Sequence, residues 1–439
     1  MTNNKIEKIV SLCKRRGFIF QSSDIYGGFS AIYDYGPLGI ELKNNISKIW
    51  WKEMTQNHEN IVGLDSAILM HPKIWEASGH INEFHDPLVD CKHCKARYKA
   101  DEFDNIINWD NAKCPKCGTT GKMTTPREFN LMFKTTVGPV EESGSKAYLR
   151  PETAQGIYVN YQLIQGAMRL KVPFGIAQIG KAFRNEIIAR NFIFRTREFE
   201  QMEMQYFVKP GQDNLSMSDW KEKRINFYTD YLGVTKNNIR FHEHNENELA
   251  HYAKEAWDIE YNFPFGWSEI EGIHNRTDFD LKKHEEFSGK NLKYFDQQNN
   301  ERYHPYIIET SAGLNRMLLT VLSEAYWEDT ENNRIVLKLE PKIAPNKITI
   351  CPLTKKDGLP EKAKIIKNDL KLSYKITYDQ QGSIGKRYYR EDEAGTPFVI
   401  TVDHKTLEDN SITLRHRDTQ KQDRINLDNL NKVLKDFLG

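Results

Sequence analysis

The sequence predicts an α+β fold built on an antiparallel sheet, followed by a smaller α/β unit at the C-terminal end. Residues 174–184 and 199–208 alternate like two paired antiparallel strands. No regular strand–helix–strand rhythm occurs before about residue 340, whereas strand and helix patterns alternate after it. The chain has 439 residues, enough for two to four domains, so its length is compatible with this division.

Three further segments complete the expected first part. Residues 41–54 have the periodicity of a helix and follow the turn at Gly36-Pro37. Residues 306–313 predict a strand that ends on small side chains, and residues 314–327 predict an apolar helix directly after it. We therefore expect a strand–helix unit to accompany the paired strands of the antiparallel sheet.

The C-terminal unit is expected to begin after a linker. Residues 338–347 are polar and contain two prolines, which is typical of a connection between packed units. Alternation of strands with helices predicts a largely parallel sheet. The expected strands are 348–353, 374–378, 397–402 and 412–417, and the expected helices are 361–372, 384–393 and 427–438.

Composition and charge exclude several classes of protein. The 62 basic and 61 acidic residues give a net charge of +1, so any site for a polyanion must be a local patch. No run of 18 apolar residues occurs, and the N-terminus lacks the apolar region of a secretory signal. Six cysteines do not form a disulfide scaffold in a chain of this length. We therefore expect a cytoplasmic protein without a membrane span.

Two cysteine pairs have the spacing of a zinc site. Cys91-x-x-Cys94 and Cys114-x-x-Cys117 are separated by 19 residues, within the range for a four-cysteine Zn²⁺ site. Gly118 follows the second pair and allows backbone amides to turn toward sulfur. Four thiolates leave no open coordination position, so the predicted zinc is structural.

Other interpretations of the cysteines stay open. The two pairs could be free thiols, and His93, inside the first pair, could replace one ligand. Cys13 and Cys351 have no partner pattern, so we expect both to be packing residues.

The densest chemical feature is the segment 183–204. It contains four arginines within fourteen residues, interleaved with phenylalanine and isoleucine and followed by three glutamates. One guanidinium group can bind two phosphate oxygens at once, and an aromatic ring can stack on a base. The alternative is a salt-bridged hairpin with a solvated face. The residues concerned are Arg184, Arg190, Arg195, Arg197, Phe192, Phe194, Phe199, Glu198, Glu200 and Glu203.

The order of these residues resembles motif 2 of the class II aminoacyl-tRNA synthetases. In that motif a strand ending in Phe183-Arg184-Asn185-Glu186 would lead into an arginine-rich loop and return through Arg197-Glu198-Phe199-Glu200. Residues 309–316 are similar to motif 3 of the same class. The resemblance extends from about residue 5 to residue 430 and is greatest to the single-chain, dimeric glycyl branch. Five further segments are similar in sequence to that branch: 33–46, 76–80, 150–161, 263–281 and 395–403.

The resemblance implies an ATP site. Arg184 would pair with the α-phosphate, Phe199 would stack on adenine, and Arg316 would grip the other side of the bent nucleotide. Glu269 would hold ATP with its Mg²⁺, which makes Arg184, Arg316 and Glu269 the expected catalytic residues. The remaining expected ATP contacts are Asn185, Glu186, Phe194, Arg195, Thr196, Arg197, Glu198, Ile270, Gly313, Leu314 and Asn315.

The resemblance also implies a glycine pocket. Several carboxylates around a small pocket suit an α-ammonium group, and a pocket for the smallest amino acid can reject others by size. An editing domain is therefore not expected. Two positions depart from the family pattern, because Thr310 replaces a usual proline and Asn315 a usual acidic residue. The expected glycine contacts are Arg97, Glu152, Phe199, Glu200, Gln201, Met202, Glu203, Glu309, Thr310, Ser311, Ala312 and Gly313.

By this resemblance, the chain would activate glycine with ATP and transfer it to the 3′ end of the tRNA specific for glycine, as a homodimer. One alternative is a non-catalytic paralogue that binds nucleic acid, although such a protein has no reason to keep all the expected site residues. Another is a class II enzyme for a different amino acid. The sequence does not tell which residues read the anticodon.

The resemblance also suggests a domain division. The expected domains are residues 1–340, a linker at 341–346 and an anticodon-binding domain at 347–439. Residues 91–117 would be a zinc-ribbon-like insertion and residues 209–300 an insertion between motifs 2 and 3, in which 241–252 is rich in histidine. In the C-terminal domain the expected RNA patch, or alternatively a solvated face, consists of Lys386, Arg387, Arg390, Arg415, His416 and Arg417.

Overall fold

The structure is a computed structural model that describes residues 3–103, 109–138, 145–188, 191–246, 248–250 and 252–438. The N-terminal elements pack one long helix, α2, beside a series of short strands. Within the described ranges, every helix is too short or too polar to cross a bilayer. The first elements are α1 (Asn3–Arg16), β1 (Ile19–Gln21), β2 (Tyr33–Tyr35), α2 (Pro37–Thr55), β3 (Ile61–Gly63), α3 (Pro72–Ala77), α4 (His80–Glu83), β4 (His85–Asp90), β5 (Arg97–Lys99), β6 (Arg127–Asn130), β7 (Lys134–Val137) and β8 (Ser145–Tyr148).

The middle of the chain supplies the long strands and the helices that cover them. These elements are α5 (Ala154–Met168), β9 (Phe174–Phe183), β10 (Glu198–Val208), α6 (Asp213–Leu232), β11 (Ile239–Glu243), β12 (Glu255–Phe263), β13 (Gly266–Thr277), α7 (Phe279–Ser288), β14 (Tyr294–Asp296), β15 (Glu301–Tyr303), β16 (Tyr306–Gly313), α8 (Leu314–Ala325), β17 (Tyr326–Asp329) and β18 (Arg334–Leu337).

A seven-stranded sheet forms the centre of the first part. Its strand order is β11-β12-β13-β16-β10-β9-β3, and every pairing is antiparallel except that of β3 with β9. The predicted antiparallel sheet is therefore confirmed, with one parallel strand added at its edge. β16 has the predicted bounds, and α8 begins at the next residue as predicted but ends at Ala325, where β17 follows.

The two faces of this sheet are buried by different helices. α2, α6 and α8 pack their apolar side chains against one face, which we call the core face; Trp50, Trp220 and Leu318 are fully or nearly fully buried there. α5 and α7 cover part of the opposite face, where Tyr158 and Leu281 are buried. Because successive side chains of a strand point to opposite faces, each strand contributes alternate residues to the two sides.

The expected insertion 209–300 is not separate from the sheet. It contains β11, β12 and β13, and β13 pairs with β16 over residues Glu271–Thr277. Pairing between strands that are distant in sequence leaves no local pattern, so the sequence did not indicate that this segment belongs to the centre.

The C-terminal unit contains β19 (Ile348–Pro352), α9 (Leu359–Leu370), β20 (Ile376–Tyr378), α10 (Ile384–Ala394), β21 (Phe398–Val402), α11 (His404–Asp409), β22 (Ser411–His416), β23 (Gln422–Asn426) and α12 (Leu427–Leu438). Its strand order is β20-β19-β21-β22-β23. The predicted, largely parallel sheet is wrong in its second half, because β22 and β23 run antiparallel. α11 and β23 were not predicted from the sequence, and the short turn between β22 and β23 allows only an antiparallel hairpin.

The expected linker has no regular structure, but it is packed rather than free. Ile343 and Ala344 are fully buried, and the Asn45 side chain donates hydrogen bonds to both of their carbonyls, at 3.1 and 3.0 Å. The Lys347 ammonium donates to the carbonyls of Pro341, Lys342 and Ala344, at 2.9, 2.7 and 2.9 Å. These contacts fix the direction in which the C-terminal unit leaves the first part.

The expected RNA patch is largely internal. Arg415 and Arg417 are each 2% exposed. Arg415 pairs with both oxygens of buried Asp392, at 2.7 and 2.9 Å, and Arg417 donates to the Leu339 carbonyl at 2.8 Å. The prediction for these two residues is therefore wrong, because their buried guanidinium groups bind other protein groups at the junction between the two parts of the chain.

The remaining members of that patch divide between buried and exposed positions. Arg387 is 3% exposed and donates to the Pro352 carbonyl at 2.6 Å, so it too is internal. Arg390 is partly exposed but pairs with Asp379. Lys386 is exposed, and it is the member of the patch that best fits the prediction.

Candidate functional site

A polar cavity of about 260 Å³ lies on the face of the seven-stranded sheet opposite the core face. Its floor is formed by alternate residues of β10, β13 and β16, and the loop between β9 and β10 forms one wall. Fifteen of the predicted site residues line it: Glu152, Arg184, Glu186, Phe194, Arg195, Thr196, Phe199, Gln201, Glu203, Glu269, Glu309, Ser311, Gly313, Asn315 and Arg316.

The period of two residues along a strand decides which predicted residues reach this cavity. On β10, Phe199, Gln201 and Glu203 line it, whereas Met202 is buried on the core face. On β16, Glu309 and Ser311 line it.

Several predicted contacts therefore do not line the cavity. Glu200 pairs instead with Lys43 of α2, and its backbone N–H donates to the Asn315 side chain at 3.2 Å. Asn315 thus accepts a hydrogen bond as the usual acidic residue also could. The predicted side chains that do not line the cavity are Asn185, Arg197, Glu198, Glu200, Met202, Ile270, Thr310, Ala312 and Leu314. Arg190 lies outside the described residues.

Arg97 is also not at the cavity. It lies on β5, its side chain is 67% exposed, and its Nε atom is 3.1 Å from Asp90 Oδ1. Arg127 pairs with the same carboxylate. The contact of Arg97 with glycine stays a prediction that would require this small sheet to approach the cavity.

Arg184 stands at the end of β9, where the backbone closes the loop that follows. Its N–H donates to the Arg197 carbonyl at 2.9 Å, and its Nε donates to the Pro151 carbonyl at 3.1 Å. The Cζ atom lies 5.4 Å from the centre of the Phe199 ring. A backbone bond, a side-chain bond and a cation–π contact thus fix one cation at the cavity wall.

Arg316 provides the second cation, at the first turn of α8. Its guanidinium lies 2.9 Å from Glu269 Oε2, donates to the Phe194 carbonyl at 3.3 Å and lies 4.5 Å from the Phe194 ring centre. Arg316 lowers the pKa of Glu269, so this carboxylate is ionised at neutral pH. Its side chain is 44% exposed, which leaves oxygen atoms free for a cation.

Three glutamates converge at the other end of the cavity, and their protonation states differ. Burial and the charges of Glu309 and Glu152 raise the pKa of Glu203 to about 8. Burial acts in the same direction on Glu309, but Arg276 and His274 outweigh it and lower that pKa to about 2. Burial is also outweighed at Glu152, where His80 is the largest favourable cause of a lowered pKa.

The cation that balances these carboxylates was not predicted from the sequence. Arg276, on β13, is 3% exposed and lies 3.3 Å from Glu309 Oε2 and 2.8 Å from Asp280 Oδ2. His274, two residues earlier, places Nδ1 at 2.8 Å from Glu309 Oε1. Their spacing of two on the strand that also carries Glu269 was the available signal. The other missed lining residues are Ile193, Tyr252 and Gly272.

The four predicted zinc ligands come together in a separate module. Their sulfur atoms all lie within 4.8 Å of one another, with Cys91 to Cys117 at 3.7 Å and Cys94 to Cys114 at 3.6 Å. Four sulfurs at about 2.3 Å from one Zn²⁺ would lie about 3.8 Å apart, so the donor set fits a tetrahedral ion. Gly118 has φ of 70° and donates its N–H to the Cys114 carbonyl at 2.9 Å, as the predicted turn requires. Cys13 and Cys351 are fully buried, as predicted.

Comparison with known proteins places this cavity in a family context. Residues 133–325 match the tRNA synthetase class II core domain (G, H, P, S and T), and residues 347–437 match the anticodon binding domain. The chain is 59% identical over 435 residues to the glycine–tRNA ligase of Treponema denticola, covering 97% of this chain and 96% of that protein. It is 56% identical to that of Borrelia hermsii over 97% and 96%, and 50% identical to that of Chlorobaculum tepidum over 96% and 97%.

Proposed function

Because the chain belongs to the glycine–tRNA ligase family of the class II aminoacyl-tRNA synthetases, we propose that its cavity makes glycyl-adenylate and then glycyl-tRNA. The observation that carries the proposal is that two cations, Arg184 and Arg316, share one cavity with Glu152, Glu203 and Glu309. The cations suit the phosphates of ATP, and the carboxylates suit the ammonium group of glycine. The relatives named above are all glycine–tRNA ligases, which gives no support to the alternative of a non-catalytic paralogue.

The first step joins glycine to AMP. A glycine carboxylate oxygen attacks the α-phosphorus, the bond from that phosphorus to the bridging oxygen breaks, and pyrophosphate leaves. Negative charge grows on the α-phosphate during this step. Arg184 would stabilise that charge without moving, because the Pro151 carbonyl and the Phe199 ring already hold its guanidinium group in place. Phe199, which lines the cavity, would stack on adenine, and Arg316 would bind the nucleotide from the opposite side.

The second step transfers glycine to tRNA. The 3′-terminal hydroxyl of tRNA attacks the carbonyl carbon of the adenylate, and AMP leaves. Mg²⁺, when bound with ATP, neutralises phosphate charge, and Glu269 is the carboxylate best placed to hold it because it is ionised and partly exposed. The C-terminal unit would bind the anticodon, in accord with its family match.

Size explains why the pocket would select glycine. Buried Glu203 and Glu309 line the amino-acid end of the cavity, and Gln205 lies behind Glu309, accepting from Tyr158 at 2.9 Å and donating to Glu309 at 2.7 Å. A side chain on the substrate would have to displace this hydrogen-bonded wall. Steric exclusion of this kind requires no editing domain.

The remaining parts of the proposal concern assembly. We propose a homodimer in the cytoplasm, where the tRNA specific for glycine would be the partner, on the grounds of the family. We also propose the division into residues 1–340, a linker at 341–346 and an anticodon-binding domain at 347–439. The family matches at 133–325 and 347–437 support two functional units.

The proposal is tested by ATP–pyrophosphate exchange without tRNA, with glycine, alanine, serine and proline in turn. Exchange is expected with glycine alone, because the pocket admits no side chain. Exchange with another amino acid would assign the chain to a different specificity, and no exchange even with added Mg²⁺ and Zn²⁺ would refute adenylation. Transfer to tRNA is then measured with radiolabelled glycine.

The cysteine module is proposed to hold a structural Zn²⁺. Cys94→Ser is expected to abolish stoichiometric zinc and to lower the thermal midpoint, because one thiolate ligand is lost from a closed site. Zinc is measured by atomic absorption and unfolding by calorimetry. Cys13→Ser, at a buried cysteine outside the module, is the control and should retain zinc. Full zinc content in Cys94→Ser would contradict the assignment.

The raised pKa of Glu203 predicts a pH-dependent affinity for glycine. At pH 6.5 the buried carboxyl is protonated, whereas the ammonium group of glycine favours the ionised form. The KM for glycine should therefore fall about 25-fold between pH 6.5 and 8.5, as protonation stops competing with binding. Steady-state exchange at each pH measures it. Glu203→Gln should bind glycine weakly with a flat profile, and a flat wild-type profile would contradict the role.

A further inference from the structure

We propose that the segment of residues 80–84 positions both halves of the cavity, with His80 holding Glu152 of the glycine pocket and Phe84 holding Arg184 of the ATP site. The inference rests on the proposed function and deepens it. Neither His80 nor Phe84 lines the cavity, so both would act through the residues that do. The segment comprises α4 and the residue after it, between α3 and β4.

His80 contacts the glycine end. Its Nε2 atom lies 3.4 Å from Glu152 Oε2, and the two side chains are 13% and 14% exposed. The Ser78 hydroxyl lies 2.8 Å from His80 Nδ1. When that hydroxyl donates to Nδ1, the ring carries its proton on Nε2, which then points to the carboxylate. Gln155 donates to the other oxygen of Glu152 at 2.9 Å, so the carboxylate is held from both sides.

Phe84 contacts the ATP end. Its ring centre is 5.4 Å from Arg184 Cζ, the same distance at which the Phe199 ring meets that atom. Arg184 thus lies near two aromatic rings, one from motif 2 and one from outside it. Phe199 would also stack on adenine, so Phe84 is the ring that can hold the guanidinium independently of the nucleotide.

The segment is rigid enough for this role. The Asn130 side chain donates to the carbonyls of His80 and Ile81, at 3.1 and 3.0 Å. Leu131 then links the segment to motif 2, since its N–H donates to the Phe84 carbonyl at 3.1 Å and its carbonyl accepts from Asn185 N–H at 2.7 Å. Asn185, the residue after Arg184, is therefore connected through Leu131 and two backbone hydrogen bonds to Phe84, the residue that contacts Arg184.

Aromatic packing fixes the other side of the segment. The His80 ring lies 5.3 Å from the Phe84 ring and 5.6 Å from the ring of Trp75, which is fully buried. One packed unit therefore touches the glycine carboxylate cluster and the phosphate-binding arginine. Each contact is made by a different side chain, which allows the two effects to be separated by substitution.

The test measures kcat/KM for ATP, and the KM for ATP and for glycine separately, in pyrophosphate exchange. Phe84→Leu removes the ring and keeps apolar bulk, so kcat/KM for ATP should fall about fivefold, with the KM for glycine unchanged. His80→Leu removes the nitrogen atoms, so the KM for glycine should rise about tenfold, with the KM for ATP unchanged. Phe84→Tyr should behave like the wild type, and His80→Gln should recover part of the glycine affinity through its N–H.

Two matched pairs elsewhere serve as controls. Arg302 lies 4.8 Å from the Phe295 ring, and His304 Nε2 lies 2.9 Å from Glu285 Oε2, and neither pair lines the cavity. Phe295→Leu and His304→Leu should leave both KM values unchanged. If a leucine variant does not fold, Phe84→Met or His80→Met replaces it, with the same expected separation.

The outcomes separate this inference from the function beneath it. Suppose that the wild type exchanges with glycine. The positioning role alone would then be overturned if both variants changed kcat/KM for ATP and the KM for glycine alike, or if neither variant changed them. A wild type without exchange would refute the proposed function and this inference together. A loss of kcat/KM for ATP confined to Phe84→Leu, together with a rise in the KM for glycine confined to His80→Leu, would establish the role.

Discussion

Arg184→Ala is expected to slow glycine-dependent pyrophosphate exchange by roughly 10²–10³-fold, or about 3–4 kcal/mol of transition-state stabilisation. The reason is that this guanidinium is held in place before ATP arrives, by the Pro151 carbonyl and the rings of Phe84 and Phe199. A fixed cation next to the α-phosphate stabilises charge that develops only in the transition state. The loss should therefore appear mainly in kcat.

The measurement is the rate of exchange at saturating ATP and glycine, with the thermal midpoint recorded for the same preparation. Arg184→Lys is the informative companion, because lysine keeps the charge but lacks the planar, two-pronged geometry. It should recover only part of the activity. A near-normal rate for Arg184→Ala in a folded protein would show that the α-phosphate is stabilised elsewhere.

Arg276→Met is expected to lower the free energy of unfolding by about 3–5 kcal/mol and to abolish measurable glycine binding. Arg276 is buried between Asp280 and Glu309, at 2.8 and 3.3 Å. Removing it leaves buried carboxylates without their cation, and Glu309 would then take up a proton because its pKa rises from its lowered value. A protonated Glu309 attracts an ammonium group less strongly.

Arg224 offers a matched control for this effect. It is fully buried on the core face and lies 2.6 Å from Glu271 and 3.3 Å from Glu53. Arg224→Met should cost similar stability, whereas the KM for glycine should stay near the wild-type value. Chemical denaturation and exchange kinetics measure the two quantities. If both variants changed the KM for glycine equally, Arg276 would have a structural role only.

Much of the candidate site could be predicted from the sequence, because most of its polar side chains belong to short continuous segments of the chain. Arg184 and Phe199 flank one hairpin, and Glu309 and Arg316 belong to one strand–helix unit. The four cysteines have a spacing that leaves little choice of geometry. Within such segments, residue type and spacing carry the information, and the structure brings these residues to the predicted places.

The errors arose where burial or pairing between distant segments decided the outcome. Arg415 and Arg417 have the composition of an RNA-binding patch, yet they are buried against Asp392 and Leu339 at the junction between the two parts of the chain. Met202 was grouped with its neighbours Gln201 and Glu203, although strand geometry turns it to the core face. That last error was avoidable, since alternation along a strand is itself a local rule.

The sequence by itself determined the class of protein, most of the polar side chains that line its cavity and the two-part organisation, because these depend on short motifs and their order. Only the tertiary structure decided which residues of each strand face the cavity, that Arg276 and His274 of β13 complete it, and that His80 and Phe84 support it from behind. The physical reason is that pairing, burial and charge balance depend on residues far apart in the chain, whose meeting no local pattern records.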